Sequence, residues 1–391
     1  MPRPLRTTTA LCLAALVGCG GGATGTTPAP DAATPDDVAG DGPVRDAQDD
    51  AVNPTDDIVN PPDDVVNPTD DAGPGVAPVA APRDTWTWVD EPGTRCANGR
   101  PTGFGVNLAD DATRVLIFLQ GGGACWDDTT CLGLVPTSFY VQTGYGRAEF
   151  ATDVLRPAML PLRRNDPANP FRAMSMVYVP YCTGDIHAGD RVARYSSLGR
   201  SAEFHHVGAR NLDRILRRVA ATFPRARRVW LAGDSAGGFG AALNMDRVQR
   251  ALPLARVDVL DDSGQPIQPP ADRWRAMRTA WNLQLPTGCD AACANDFGAI
   301  AALLRQRYPN NRFGLVSFTH DPVISTFMGL DAFTFNARLR DFTRTMARDW
   351  PAGRYFLIPG ASHVAFVTPT PGLVRWMQAM VSDDPAWASV D

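Results

Sequence analysis

The stretch "RRVWLAGDSAGGFGAALNMDRVQRAL", residues 227–252, decides the fold. Its first part is a short apolar run of strand length, and its second part carries apolar residues at helical spacing. Between them, Gly233-Asp234-Ser235-Ala236-Gly237 has the form G-x-S-x-G. Placed between a strand and a helix, such a turn forces the serine into a strained, exposed elbow that only small flanking residues allow. The same residues would also suit a plain helix start, with Ser235 as the cap and the glycines permitting close packing. What separates the two is whether the chain also supplies a base, an orienting acid and donors for a developing oxyanion.

Outward from this stretch, other short apolar runs have strand character: "RVLIFLQ" (114–120), "MSMVYVPY" (174–181), "ARVDVLD" (255–261), "RFGLVSFT" (312–319) and "RYFLIPG" (354–360). Helical patterns such as "HHVGARNLDRILRRVAATF" (205–223) and "AFTFNARLRDFTRTMARDW" (332–350) lie between them. The alternation predicts an α/β fold of α/β-hydrolase type, with a mostly parallel central sheet flanked by helices. Ligands of such sheets gather at the C-terminal ends of the strands.

The chain has five histidines, so the base can be sought by elimination. His205 and His206 are read as opening the helix before the serine strand, His187 lies in "YCTGDIHAG", and His320 precedes Asp321. The order serine, acid, histidine puts the base on a loop after the last strand, which selects His363 in "FLIPGASH". The acid should follow the preceding strand. Asp321 fits, and would hold the imidazole tautomer and stabilise the imidazolium; Asp262 in "LDDSG" is the second candidate. For the oxyanion, "FLQGGGACW" places three glycines directly after an early strand, with Gly122 and Gly123 as N–H donors and the Ala236 N–H completing the site.

Composition sets further bounds. The first nineteen residues, basic then apolar and ending in "LVGC", read as an export signal in which Cys19 would be lipidated and anchor the chain. A free secreted form is the alternative; for an anchored form, the outer membrane is preferred over the inner, because Gly20 follows Cys19. Residues 20–82 contain Gly, Pro, Thr, Ala and Asp but no aromatic residue, and are expected to be a disordered tether. Within it "DDAVNPT", "DDIVNPP" and "DDVVNPT" repeat every seven residues, and the proline in each excludes a coiled coil. Residues 83–391 have the length of one large domain. The tether holds thirteen Asp against Arg45, so the net charge of −5 leaves a mildly basic body. The absence of lysine removes a P-loop lysine and a Schiff-base lysine from consideration.

Six cysteines remain in the body, an even number that predicts disulfides in an exported chain. Proximity favours Cys125 with Cys131 and Cys289 with Cys293, leaving Cys96 for Cys182, among fifteen possible connectivities. Their spacing matches no tetrahedral zinc site, so no metal is expected.

Together, "LQGGGACW", "VPYCTGD", "GDSAGGFG", "DDSG", "SFTHD" and "GASH" resemble the pectin acetylesterase family, which includes the Notum carboxylesterases of animals. They occur in the family's order over about residues 86 to 381. The resemblance implies ester hydrolysis without a cofactor, commonly of acetyl groups on cell-wall polysaccharide, with Ser235 as nucleophile, Asp321 as acid and His363 as base. One departure is Ala124, where the family usually has tryptophan before the cysteine; here Trp126 follows Cys125. The "GDSAGG" and "GGG" motifs are also similar to hormone-sensitive-lipase-like esterases, but Gln120 stands where their pattern begins with histidine.

The expectation is therefore a monomeric, exported serine esterase that meets an acylated polysaccharide, touches membrane only through its anchor and binds no nucleic acid. The alternatives are a carboxylesterase for longer or non-carbohydrate acyl esters, and a non-catalytic surface binding protein on the same fold.

Overall fold

The computed structural model describes residues 76–133, 137–155 and 157–391. The leader with Cys19, and the segment assigned to the tether up to residue 75, lie outside the described residues. Its last part, 76–82, runs along the body: Val79 donates its N–H to Thr222 Oγ1 at 2.8 Å, and Arg218 donates to the Ala77 carbonyl.

An eight-stranded sheet organises the body. Its strands are β1 (Thr87–Arg95), β2 (Pro101–Asn107), β3 (Arg114–Leu119), β4 (Ser175–Val179), β7 (Arg228–Asp234), β8 (Arg256–Asp262), β9 (Phe313–Phe318) and β10 (Gly353–Ile358). A separate antiparallel hairpin is formed by β5 (Arg191–Ser197) and β6 (Arg200–His206). The sheet order is β1-β2-β4-β3-β7-β8-β9-β10. From β4 to β10 all neighbours run parallel, while β1 and β2 add an antiparallel flap at one edge. The fold is α/β-hydrolase-like. Helices cover both faces, so the central strands are apolar almost throughout: in β3, Val115 to Leu119 are all buried. At the other edge, the Val390 N–H donates to the Tyr355 carbonyl and the Val390 carbonyl accepts from Leu357. Among the described residues, no helix is long and apolar enough to cross a membrane.

Register puts the chemistry on one rim. Leu119 of β3 pairs with Gly233 of β7, Asp234 with Asp262 of β8, and Phe318 of β9 with Ile358 of β10. The chain therefore leaves five neighbouring parallel strands near one level, and the loops after β3, β7, β9 and β10 carry the glycines, Ser235, Asp321 and His363. The strand limits agree with the apolar runs to within about two residues. The helix read from residue 205 instead begins at Gly208, with His205 and His206 ending β6. In "SAEFHHV" the alternation that buries Phe204 and His206 is the strand period, and it outweighs the helical pattern downstream.

Among the described residues three disulfides are present: Cys96–Cys182, Cys125–Cys131 and Cys289–Cys293.

Candidate active site

Ser235 sits between β7 and the helix Ala236–Ala251 with φ 52° and ψ −120°, a left-handed conformation that a serine adopts only where its surroundings enforce it. Its own N–H donates to the Asp262 carbonyl at 2.7 Å, and its carbonyl accepts from Phe239. The neighbouring glycines are sterically required. A Cβ on Gly233 would collide with the Gly237 carbonyl, and one on Gly237 with the Leu119 carbonyl. This packing is why the turn reads G-x-S-x-G, and Ser235 makes no side-chain cap bond to the helix it begins.

The glycine loop is held as firmly. Gln120 uses every polar group: its N–H donates to the Val179 carbonyl and its carbonyl meets His187 Nε2 at 2.8 Å. Its side chain accepts from Tyr181 N–H and donates to Asp153. Gly121 donates to Asp234 Oδ1 at 3.1 Å, which ties this loop to the residue before the serine. The Gly122 carbonyl accepts from Phe139, and Ala124 is clasped by Thr137 through both its N–H and its carbonyl. Gly122 and Gly123 have φ of 147° and 79°, open to glycine and strained for other residues. Among the described residues, the N–H groups of Gly123 and Ala236 meet no acceptor, and both residues line the cleft at Ser235.

His363 lies on the loop after β10, and its Nδ1 is 2.7 Å from Asp321 Oδ2. Asp321 is fully buried, and its other oxygen accepts the N–H groups of Val323 and Ile324 at the start of the helix Pro322–Met328. Burial pushes the His363 pKa down, but the Asp321 hydrogen bond and the charges of Asp321, Asp262 and Asp234 outweigh it and hold the imidazole above its ordinary value. Asp262 faces a different partner: its carboxylate accepts Phe366 N–H at 2.7 Å and Ser263 Oγ–H at 3.0 Å. Burial raises Asp262 to about 6 despite these donors. Asp234 is raised to about 7 by burial and by the Asp262 charge.

His187 and His206 are occupied elsewhere. His187 lies against the Tyr181 ring and is lowered to about 4 by burial. His206 bridges the Thr183 carbonyl and Tyr195 Oη. Among the described residues one grouping of metal-binding type occurs, Cys125, Cys131 and His206, and its two sulfurs are bonded to each other.

Beside Ser235 opens a cleft of about 450 Å³, open solvent at its mouth included. Its walls are Ile186, Phe239, Trp274, Met277, Trp281, Phe297, Ile324, Phe327 and Met328, with Ala124 at the glycine loop. Apart from Ala124, none of these residues stood out in the sequence. The signal was there in "ADRWRAMRTAW" (271–281), whose Trp274, Met277 and Trp281 fall at i, i+3 and i+7 on one helix face. Ala124 lines the cleft, while Trp126 stands edge-on to Trp281 and Phe327.

The family model of pectinacetylesterase matches residues 84–282. The chain belongs to the pectinacetylesterase family. The matched residues hold the glycine loop and Ser235; Asp321 and His363 follow them. Among curated proteins, the chain is 30% identical over 179 residues to the human palmitoleoyl-protein carboxylesterase NOTUM, covering 43% of this chain and 34% of that protein. Against the protein of the same name from Schmidtea mediterranea it is 30% identical over 163 residues, 40% and 29% of the two chains. The Drosophila melanogaster protein is 25% identical over 217 residues, 50% and 31%. The chain thus spans about a third of the length of the curated relatives it matches.

Proposed function

We propose that this family member is a serine carboxylesterase whose substrate carries an extended apolar acyl chain. The observation that carries the reading is the cleft at Ser235, whose exposed lining is almost wholly apolar and aromatic. An acetyl group would leave most of that wall uncovered, so the longer-acyl alternative fits better than an acetylated polysaccharide. The relatives point the same way, since their name describes removal of a palmitoleoyl group from protein.

In the proposed reaction Ser235 Oγ attacks the ester carbonyl carbon while His363 accepts the hydroxyl proton. The negative charge gathering on the carbonyl oxygen would be met by the free N–H groups of Gly123 and Ala236, with Gly122 adjoining. Collapse expels the alcohol, which takes the proton from His363 and leaves an acyl-serine. Water, deprotonated by His363, then attacks the acyl carbon; the acyl–Oγ bond breaks, Ser235 Oγ takes the proton back from His363, and the acid is released. Asp321 keeps the imidazole tautomer fixed and stabilises its protonated form. Attack on a flat carbonyl needs no electron transfer, so residues 83–391 suffice for each step without a cofactor. We also propose that the chain is exported and lipidated at Cys19, in keeping with three disulfides; metabolic labelling with a radioactive fatty acid, lost in Cys19→Ser, would test it.

The deciding measurement is hydrolysis of p-nitrophenyl esters from acetate to dodecanoate, with acetylated pectin and xylan in parallel and Ser235→Ala beside each. Release that favours the longer esters and vanishes in the variant supports the reading. Preference for acetylated polymer returns the substrate to the polysaccharide class, and no release from any would leave a binding protein.

A further inference from the structure

Resting on the reading of the cleft as an acyl site, we infer that Trp274 and Trp281 are specificity-determining residues, fixed in place by the two short-loop disulfides. Both belong to the helix Ala271–Trp281, and both are buried in the cleft wall. Each indole donates its N–H to the backbone carbonyl of a disulfide cysteine. Trp281 Nε1 donates to Cys125 at 2.7 Å, and Trp274 Nε1 to Cys293 at 3.2 Å. Cys125 is crosslinked to Cys131 and Cys293 to Cys289, on segments far apart in sequence.

The bonds matter because a buried indole N–H without an acceptor is costly, so each ring is tied to the orientation that reaches its carbonyl. Phe297 locks one of them further, stacking on Trp274 at 4.5 Å between centroids and on Phe239 at 5.8 Å. A wall of rings that cannot turn accepts a chain up to a definite size and rejects the next methylene, whereas a flexible side chain would yield.

The loop lengths favour this role over general stabilisation. Crosslinks that close long loops remove most entropy from the unfolded chain, which suits Cys96–Cys182 with a separation of 86 residues. Cys125–Cys131 and Cys289–Cys293, with separations of 6 and 4, close the least. What each does in the folded molecule is hold a carbonyl still, and in both cases an indole of the cleft uses that carbonyl.

The test compares kcat/KM for p-nitrophenyl acetate, butyrate, octanoate and dodecanoate in the unmodified chain, Trp281→Phe, Trp274→Phe and the pair Cys289→Ser/Cys293→Ser. Phenylalanine is smaller and donates no hydrogen bond, so the dodecanoate-to-acetate ratio should rise about tenfold in either tryptophan variant. The paired serine variant keeps both rings and should move the ratio in the same direction. If a tryptophan variant no longer unfolds cooperatively, the serine pair alone decides. An unchanged ratio across the folded variants overturns the inference and leaves the esterase reading intact. No hydrolysis of any ester by the unmodified chain overturns that reading and the inference with it.

Discussion

The carboxylate of Asp262 accepts the backbone N–H of Phe366 at 2.7 Å, three residues beyond His363. The same residue's carbonyl accepts the N–H of Ser235. One aspartate at the end of β8 therefore fixes both the serine elbow and the histidine loop, although it makes no bond to the imidazole. An amide at this position has one acceptor oxygen, so Asp262→Asn strands either Phe366 N–H or the Ser263 hydroxyl. The expected outcome is a fall in kcat on the order of 100-fold with little change in KM, because small displacements of a base are costly. Steady-state kinetics beside a thermal unfolding curve check it.

Asp321→Asn should leave the fold standing and lower the rate by about 10⁴. It should also move the acidic limb of the pH profile. The His363 pKa is raised in the folded chain, and the base works only when neutral, so activity is lost as pH falls through that raised value. Removing the Asp321 charge lets burial dominate, and the residual activity should persist to lower pH. Near-normal turnover in this variant would show that Asp321 is not the orienting acid.

Asp234, raised to about 7 by burial and by Asp262, binds its proton more tightly in the folded chain than in the unfolded one. Its contribution is stabilising at low pH and is lost as pH rises through the folded value. Asp234→Asn keeps an acceptor for Gly121 and removes the buried charge. Its thermal midpoint relative to the unmodified chain should be higher at pH 8 than at pH 4, and calorimetry at the two pH values decides.

Gly237→Ala puts a methyl group into the Leu119 carbonyl. Neither β3 nor the helix can withdraw without disturbing the elbow. A strongly lowered thermal midpoint and loss of turnover are expected; a normal midpoint would show that the two elements can separate.

Replacing Cys96 and Cys182 by serine opens the crosslink with the longest loop, and should cost about 2–5 kcal/mol. Urea unfolding of the paired variant measures it.

The parallel strands and the elbow were legible because each rests on local pattern. A buried strand is a short apolar run, and a strained turn needs particular glycines. The cleft was hidden since its walls come from six separate segments, and a tryptophan facing a cavity looks the same in sequence as one facing the core. Strands β1 and β2 were missed for another reason: β1, at the sheet edge, alternates only partly between buried and exposed, and the buried run of β2 is interrupted by Gly103 and Gly105. Asp262 illustrates the limit of order alone, because its position after a strand suited an acid while its hydrogen bonds go to the backbone.

β10 forms one side of the sheet, and a bare outer strand would present a row of unpaired donors and acceptors on which a strand from another molecule could add. Val390 fills part of that row with its own backbone. The molecule thus carries a guard against extending its sheet into its neighbours. How it behaves when crowded on a surface or concentrated in a tube depends in part on one residue far from any chemistry.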